Sequence, residues 1–83
     1  MELDRIRRRF TELSVPDAEA GMRRARPLLD HLCGELGHAP APDLGPAVIP
    51  DQLTVLVHDA YLGGVGEGLA QALATLRRSL YPA

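Results

Sequence analysis

The sequence contains no lysine and no tryptophan, and its aromatic residues are one phenylalanine and two tyrosines. So few aromatic rings leave little surface on which the bases of a nucleic acid could stack. All nine cationic residues are arginines, and eleven acidic residues outnumber them, which gives a net charge of -2. The overall charge therefore gives no indication of a nucleic-acid or membrane partner.

Cysteine is equally scarce, because Cys33 is the only one. It cannot form a disulfide within the chain, which excludes a disulfide-stapled secreted scaffold, so we expect a reducing, cytoplasmic setting. Within residues 1–10 a pair of arginines is followed by Phe10 at the twin-arginine spacing, but residues 11–17 are not apolar and predict no export signal. The sequence has no run of about eighteen apolar residues, so it predicts no membrane-spanning helix.

What the chain does have is enough apolar residues for one small domain. It is 83 residues long, and 46% of these are hydrophobic while 24% are charged, a composition typical of a globular protein. A chain of this size buries only about 60% of the surface that its unfolded form exposes, which leaves the monomer marginally stable. We therefore predict a single helical domain over residues 1–83 that associates with itself.

Two amphipathic helices are predicted in the first half of the chain. Apolar residues at helical spacing indicate helix one over about 2–13 and helix two over 15–36. Ser14 is the expected N-cap of helix two, Gly34 and Gly37 are its stop signals, and the apolar stripe keeps its phase across Pro27. We interpret helix two as kinked at this proline and expect the two helices to form a hairpin. The stripes consist of Leu3, Ile6, Phe10 and Leu13 in helix one, and of Met22, Ala25, Leu29, Leu32 and Leu36 in helix two.

Residues 37–50 hold four of the seven prolines and predict an extended connection that is neither helix nor central strand. It serves either as a crossover strap, packed down by Leu44, Val48 and Ile49, or as a polyproline-like recognition segment. Beyond it, Asp51 is the expected cap of a third helix over 51–62, although β-branched residues leave a strand at 53–57 as the alternative.

The last helix is predicted over about 67–80, where leucines recur at spacings of four, three and four. Four glycines between Gly63 and Gly68 predict a turn before it rather than a phosphate-binding loop, because Leu69 stands where the dinucleotide fingerprint needs glycine. The predicted fold is therefore all-α: a small bundle of three to four helices with a Pro-rich connecting strap, forming a dimer. The predicted core comprises Leu29, Leu32, Leu56, Leu69, Leu73 and Leu76.

The sequence contains candidate residues for metal binding and for catalysis, but no motif connects these residues. His31 and Glu35 are four residues apart and share a helix face, so with His58 they are candidate metal ligands, but three converging ligands cannot be assembled locally. The reactive residues Cys33, His31, His58 and Asp59 form no catalytic signature, and a chain this short has little room for a pocket. We predict neither an enzyme nor a cofactor.

The function predicted from the sequence is a non-catalytic interaction or regulatory protein that forms a homodimer and binds a protein partner. A DNA-binding regulator or antitoxin-like protein with an Arg-rich face is the first alternative, and a small metal- or ligand-binding protein is the second. The homodimer is expected on the first two helices, with Leu28, Cys33, Tyr61 and Leu62 as apolar surface left uncovered in one chain. The predicted interaction face comprises Arg7, Arg8, Arg23, Arg24, Leu28 and Tyr61.

Overall fold

The computed structural model describes residues 2 to 80 and contains no β-strand in that range. Its elements are α1 (Glu2–Glu12), α2 (Val15–Leu36), a 3-10 helix (Pro46–Val48), α3 (Ile49–Leu62) and α4 (Leu69–Ser79). The all-α prediction is confirmed, and the alternative of a strand at 53–57 is wrong. A lone strand would have had no partner, whereas the same residues bury an apolar face when they are helical.

Local capping sets the bounds of α2 close to those predicted. The Ser14 hydroxyl accepts a hydrogen bond from the backbone N–H of Asp17 at 3.4 Å. At the other end Gly37 adopts the left-handed conformation with φ 70°, and the next N–H, that of His38, bonds to the carbonyl of Cys33 at 2.9 Å. Gly34, expected as a stop signal, lies inside the helix.

The prediction for the start of α3 is wrong by two residues. The helix begins at Ile49, its N-cap is Val48, and Asp51 lies in the first turn instead of capping it. Pro50 occupies one of the first helical positions, where a missing N–H removes no helical hydrogen bond. Between the C-cap Gly37 and the 3-10 helix, the connection without helical structure is therefore residues 38–45, so the predicted range of 37–50 is too long. α4, in contrast, begins two residues later than expected, at Leu69.

The predicted hairpin of helices one and two is wrong. α1 packs mainly against α4 and α3, while α2 packs mainly against α3. The leucine stripe of α4 offers α1 an apolar surface equivalent to that of α2, and hydrophobic burial is not directional. All six predicted core leucines are buried, in a single cluster with Ile6, Phe10, Ala25, Cys33, Ile49, Leu53, Val57, Ala60 and Leu80.

Polar side chains of α1 and α2 hold the end of α4. The last carbonyls of a helix have no partner within it, and here Arg9 Nε donates to the carbonyl of Leu80 at 3.1 Å while Arg24 Nη1 donates to that of Ser79 at 2.6 Å. Arg77 of α4 in turn pairs with Glu2 at 2.5 Å. The three contacts fix α4 against both N-terminal helices.

Candidate functional site

Most of the exposed large hydrophobic side chains lie on or just before α3. Among residues 2 to 80 they are Val15, Leu44, Val55, Tyr61 and Leu62, exposed by 54% to 76%. Val55 and Leu62 are seven residues apart, about two helical turns, and so share one face of the helix. We call these two residues the α3 face. Val15, at the start of α2, is the exception.

Next to Val55 lies a groove of about 520 Å³ between α3 and the connection 38–45. Its size falls within the range of roughly 300–1,000 Å³ that small-molecule pockets occupy. We call it the apolar groove, because alanine, proline, leucine and valine make up most of its wall. Its lining residues are Cys33, His38, Ala39, Pro40, Ala41, Pro42, Leu44, Asp51, Gln52, Val55 and Leu56.

Side-chain hydrogen bonds fix the wall that the connection contributes. A backbone without helix or sheet needs other donors for its carbonyls. Arg26 of α2 donates to the carbonyl of Ala41, and Gln52 Nε2 of α3 donates to that of Pro42 at 2.8 Å. Asp43 closes the turn that follows by accepting the N–H of Gly45 at 3.2 Å. The groove is therefore held from both flanking helices.

The rim of the groove is acidic. Asp43 follows the lining residue Pro42, Asp51 lines the groove itself, and Asp59 Oδ2 lies 3.8 Å from Nε2 of the lining residue His38. Asp51 is paired with Arg7 at 2.8 Å, whereas Asp43 and Asp59 have no arginine within 4.0 Å in the described chain. Arg26 beside the groove is itself paired, with Asp30 at 3.3 Å.

Two residues of the predicted interaction face meet in a second groove, of about 360 Å³, between α1 and α3. Arg7 and Tyr61 both line it, together with His58. The Arg7 guanidinium is turned toward α3, where Nη2 donates to the Thr54 hydroxyl at 3.2 Å in addition to the Asp51 pair.

The remaining residues of the predicted face have separate surroundings. Arg8 and Arg23 are exposed, Arg24 is bonded to the end of α4, and Leu28 is half-buried against the core. Cys33 is 4% exposed, so the expectation that it leaves apolar surface uncovered is wrong.

The candidate metal ligands do not converge. His31 and Glu35 share one face of α2 as predicted, with Nε2 and Oε1 3.9 Å apart. His58, however, lies in the groove between α1 and α3, and residues 2 to 80 hold no cluster of three or more side chains that could bind a metal.

The glycine-rich segment forms turns between α3 and α4, as predicted. Gly64 and Gly68 have positive φ angles of 74° and 76°. A Cβ at Gly66 would lie 2.6 Å from Cδ1 of Tyr61, so the absence of a side chain lets the tyrosine ring approach the turn. Backbone geometry and ring packing account for these three glycines.

Comparison of the chain with protein-family models, curated proteins and solved structures finds no match. Within residues 2 to 80, no helix combines the length and apolar character needed to cross a bilayer. The observations that bear on function are therefore the α3 face, the apolar groove and its acidic rim. The sequence does not predict the groove, because α2, the connection and α3 all contribute to it. The Pro-rich composition around Leu44 is the only sequence feature that indicates it.

Proposed function

We propose that this protein is a non-catalytic helical interaction protein that forms a homodimer and binds a protein partner. The observation that carries the proposal is the concentration of exposed apolar side chains on α3 and in the connection before it. Apolar surface clustered in this way is typical of protein interaction sites, whereas isolated exposed hydrophobic residues are common on any protein.

The homodimer is proposed on the α3 face rather than on the first two helices. The stripes of α1 and α2 are already used inside the chain, since Ile6 and Leu29 are fully buried and Phe10 is nearly so. Val55 and Leu62 stay exposed, by 59% and 76%. A two-fold axis would bring this face against its own copy and cover it in both chains at once.

The partner is proposed to bind in the apolar groove. Its walls offer mainly apolar contact, and they are held in place by Arg26 and Gln52, so little ordering is needed on binding. Walls that are mainly apolar are suited to binding a partner rather than to catalysis. We expect this function in the cytoplasm, where the thiol of a lone cysteine stays reduced.

An Arg-rich DNA-binding face has less support. Arg7, Arg24 and Arg26 each make hydrogen bonds within the chain, to Asp51, Ser79 and Ala41 respectively. Guanidinium groups engaged in this way are less available for phosphate contacts, which dominate the affinity of proteins for DNA.

Light scattering after size-exclusion chromatography tests the homodimer. At micromolar concentration we expect twice the 9.0 kDa mass of one chain. Leu62→Ser should shift the equilibrium toward the monomer, because it removes the more exposed of the two apolar side chains of the α3 face. Leu44→Ser is the matched control, since Leu44 is 62% exposed but lies in the groove. A mass that stays at one chain on concentration would refute the homodimer.

A further inference from the structure

We infer that the apolar groove binds an amphipathic segment of the partner protein in which basic residues flank the apolar ones. This rests on the proposed function and adds the chemistry of the partner. Two independent features of the site support it: apolar walls and an acidic rim.

The apolar part of the proposed ligand is inferred from exposed side chains at the mouth of the groove. Leu44 and Val55 are 62% and 59% exposed although both line the groove, and Leu56 and Cys33 are buried behind them. Side chains such as leucine that enter from outside would cover the exposed Leu44 and Val55. The resulting burial of apolar surface supplies the affinity.

The basic part of the proposed ligand is inferred from the acidic rim. Residues 27–76 carry six acidic side chains and no cation, so the groove lies in the acidic part of the chain. The nearby cations Arg7, Arg23 and Arg26 come from outside this range. Arg7 and Arg26 are each paired with one carboxylate, and Arg23 lines a smaller pocket with Asp43 without an ion pair within 4.0 Å in residues 2 to 80. Asp43 and Asp59 are left to attract a cationic ligand.

The groove and the α3 face share one residue, Val55, whereas Leu62 does not line the groove. Leu62→Ser in light scattering and Leu44→Ser in peptide binding therefore distinguish the homodimer from partner binding in the groove.

Three designed helical peptides test the inference by fluorescence anisotropy. The first carries leucines at spacings of three and four residues with arginines on either side of the stripe. The second replaces every arginine by glutamate, and the third replaces every leucine by alanine. We expect saturable binding of the first peptide only, with an affinity that falls as salt is added because the rim is exposed.

Variants of the protein assign the binding to the groove. Leu44→Ser should weaken the arginine–leucine peptide by about tenfold through lost apolar contact. Asp43→Asn should weaken it by roughly two- to fivefold, the range for one exposed charge pair, while its amide oxygen can still accept the N–H of Gly45. Val15→Ser, at an exposed apolar residue outside both the groove and the α3 face, should bind no more weakly than the original chain.

Each other result contradicts the inference in a distinguishable way. Equal binding of the arginine and glutamate peptides would refute the basic preference while leaving an apolar protein-binding groove. Binding of the first peptide that Leu44→Ser does not change would place it elsewhere on the surface. Binding of no peptide would refute the inference, and the homodimer would still be decided by light scattering.

Discussion

Replacing Gly21 by alanine tests a close contact of α2 with its neighbours. Gly21 is buried within α2 between Phe10 of α1 and Leu80 at the end of α4. A Cβ there would lie 3.0 Å from Leu80 Cδ2 and 3.2 Å from Phe10 Cζ. Both distances are shorter than the optimal carbon–carbon separation of about 3.5–4.0 Å, so the added methyl group forces the neighbouring side chains to move.

Gly34 provides the matched control. It lies in the same helix with φ in the ordinary negative range, and an added Cβ would meet no atom within 4 Å. Gly34→Ala should therefore stabilise the protein by about 0.4–1 kcal/mol through the lower entropy of the unfolded chain. For a domain of this size, that corresponds to a rise in Tm of roughly 2–8 °C.

Gly21→Ala gains the same entropic term but adds an overpacking penalty of about 1–3 kcal/mol. We expect it to be less stable than Gly34→Ala by that amount, measured as the difference in free energy of unfolding from urea titrations followed by circular dichroism. The double variant with Phe10→Leu should recover about 1 kcal/mol more than the single changes predict, because the ring that crowds the methyl group is gone. An equal gain in stability from both alanine variants would refute the close packing of α1 and α4 on α2.

Two further predictions concern stability. Leu73→Ala should cost about 2–5 kcal/mol, because Leu73 is 4% exposed in the core, and a loss below about 1 kcal/mol in the same urea titration would contradict that burial. Arg24→Ala should cost about 0.5–1.5 kcal/mol and speed amide hydrogen exchange in the last turn of α4, since it removes the donor to the Ser79 carbonyl, whereas Arg23→Ala, at an exposed neighbour, should change stability by less than about 0.5 kcal/mol. Identical effects of the two arginine changes would contradict the role of Arg24.

The features that the sequence predicts well are those determined by neighbouring residues. The spacing of Leu69, Leu73 and Leu76 identifies α4 because residues three and four apart lie on one helix face. Ser14 and Gly37 mark the ends of α2 because their own conformations satisfy its terminal backbone groups. No knowledge of the rest of the fold is needed in either case.

Proline explains the error at the start of α3. The same residue is unfavourable inside a helix and favourable in its first turn. The proline pattern places Pro50 at the end of an extended connection, yet it lies in the first turn of the helix and is buried there. Whether Pro50 ends the connection or lies in the first turn of the helix depends on whether Ile49 before it is packed. Ile49 is 2% exposed in the core. Tertiary burial, which a local pattern does not contain, decides the boundary.

The choice of packing partner is the part that local patterns leave open, and the candidate site depends on it. The stripe of α1 could be covered by α2 or by α4, since both present leucines or alanines at helical spacing and apolar contact is nearly equal in either case. Polar contacts favour the packing of α1 against α4, because Arg9 and Glu2 of α1 have their partners at the end of α4. With α1 on α4, α2 packs mainly against α3, and the connection 38–45 crosses beside both. The apolar groove forms along that crossing, so its existence follows from packing choices made elsewhere in the chain rather than from any motif within it.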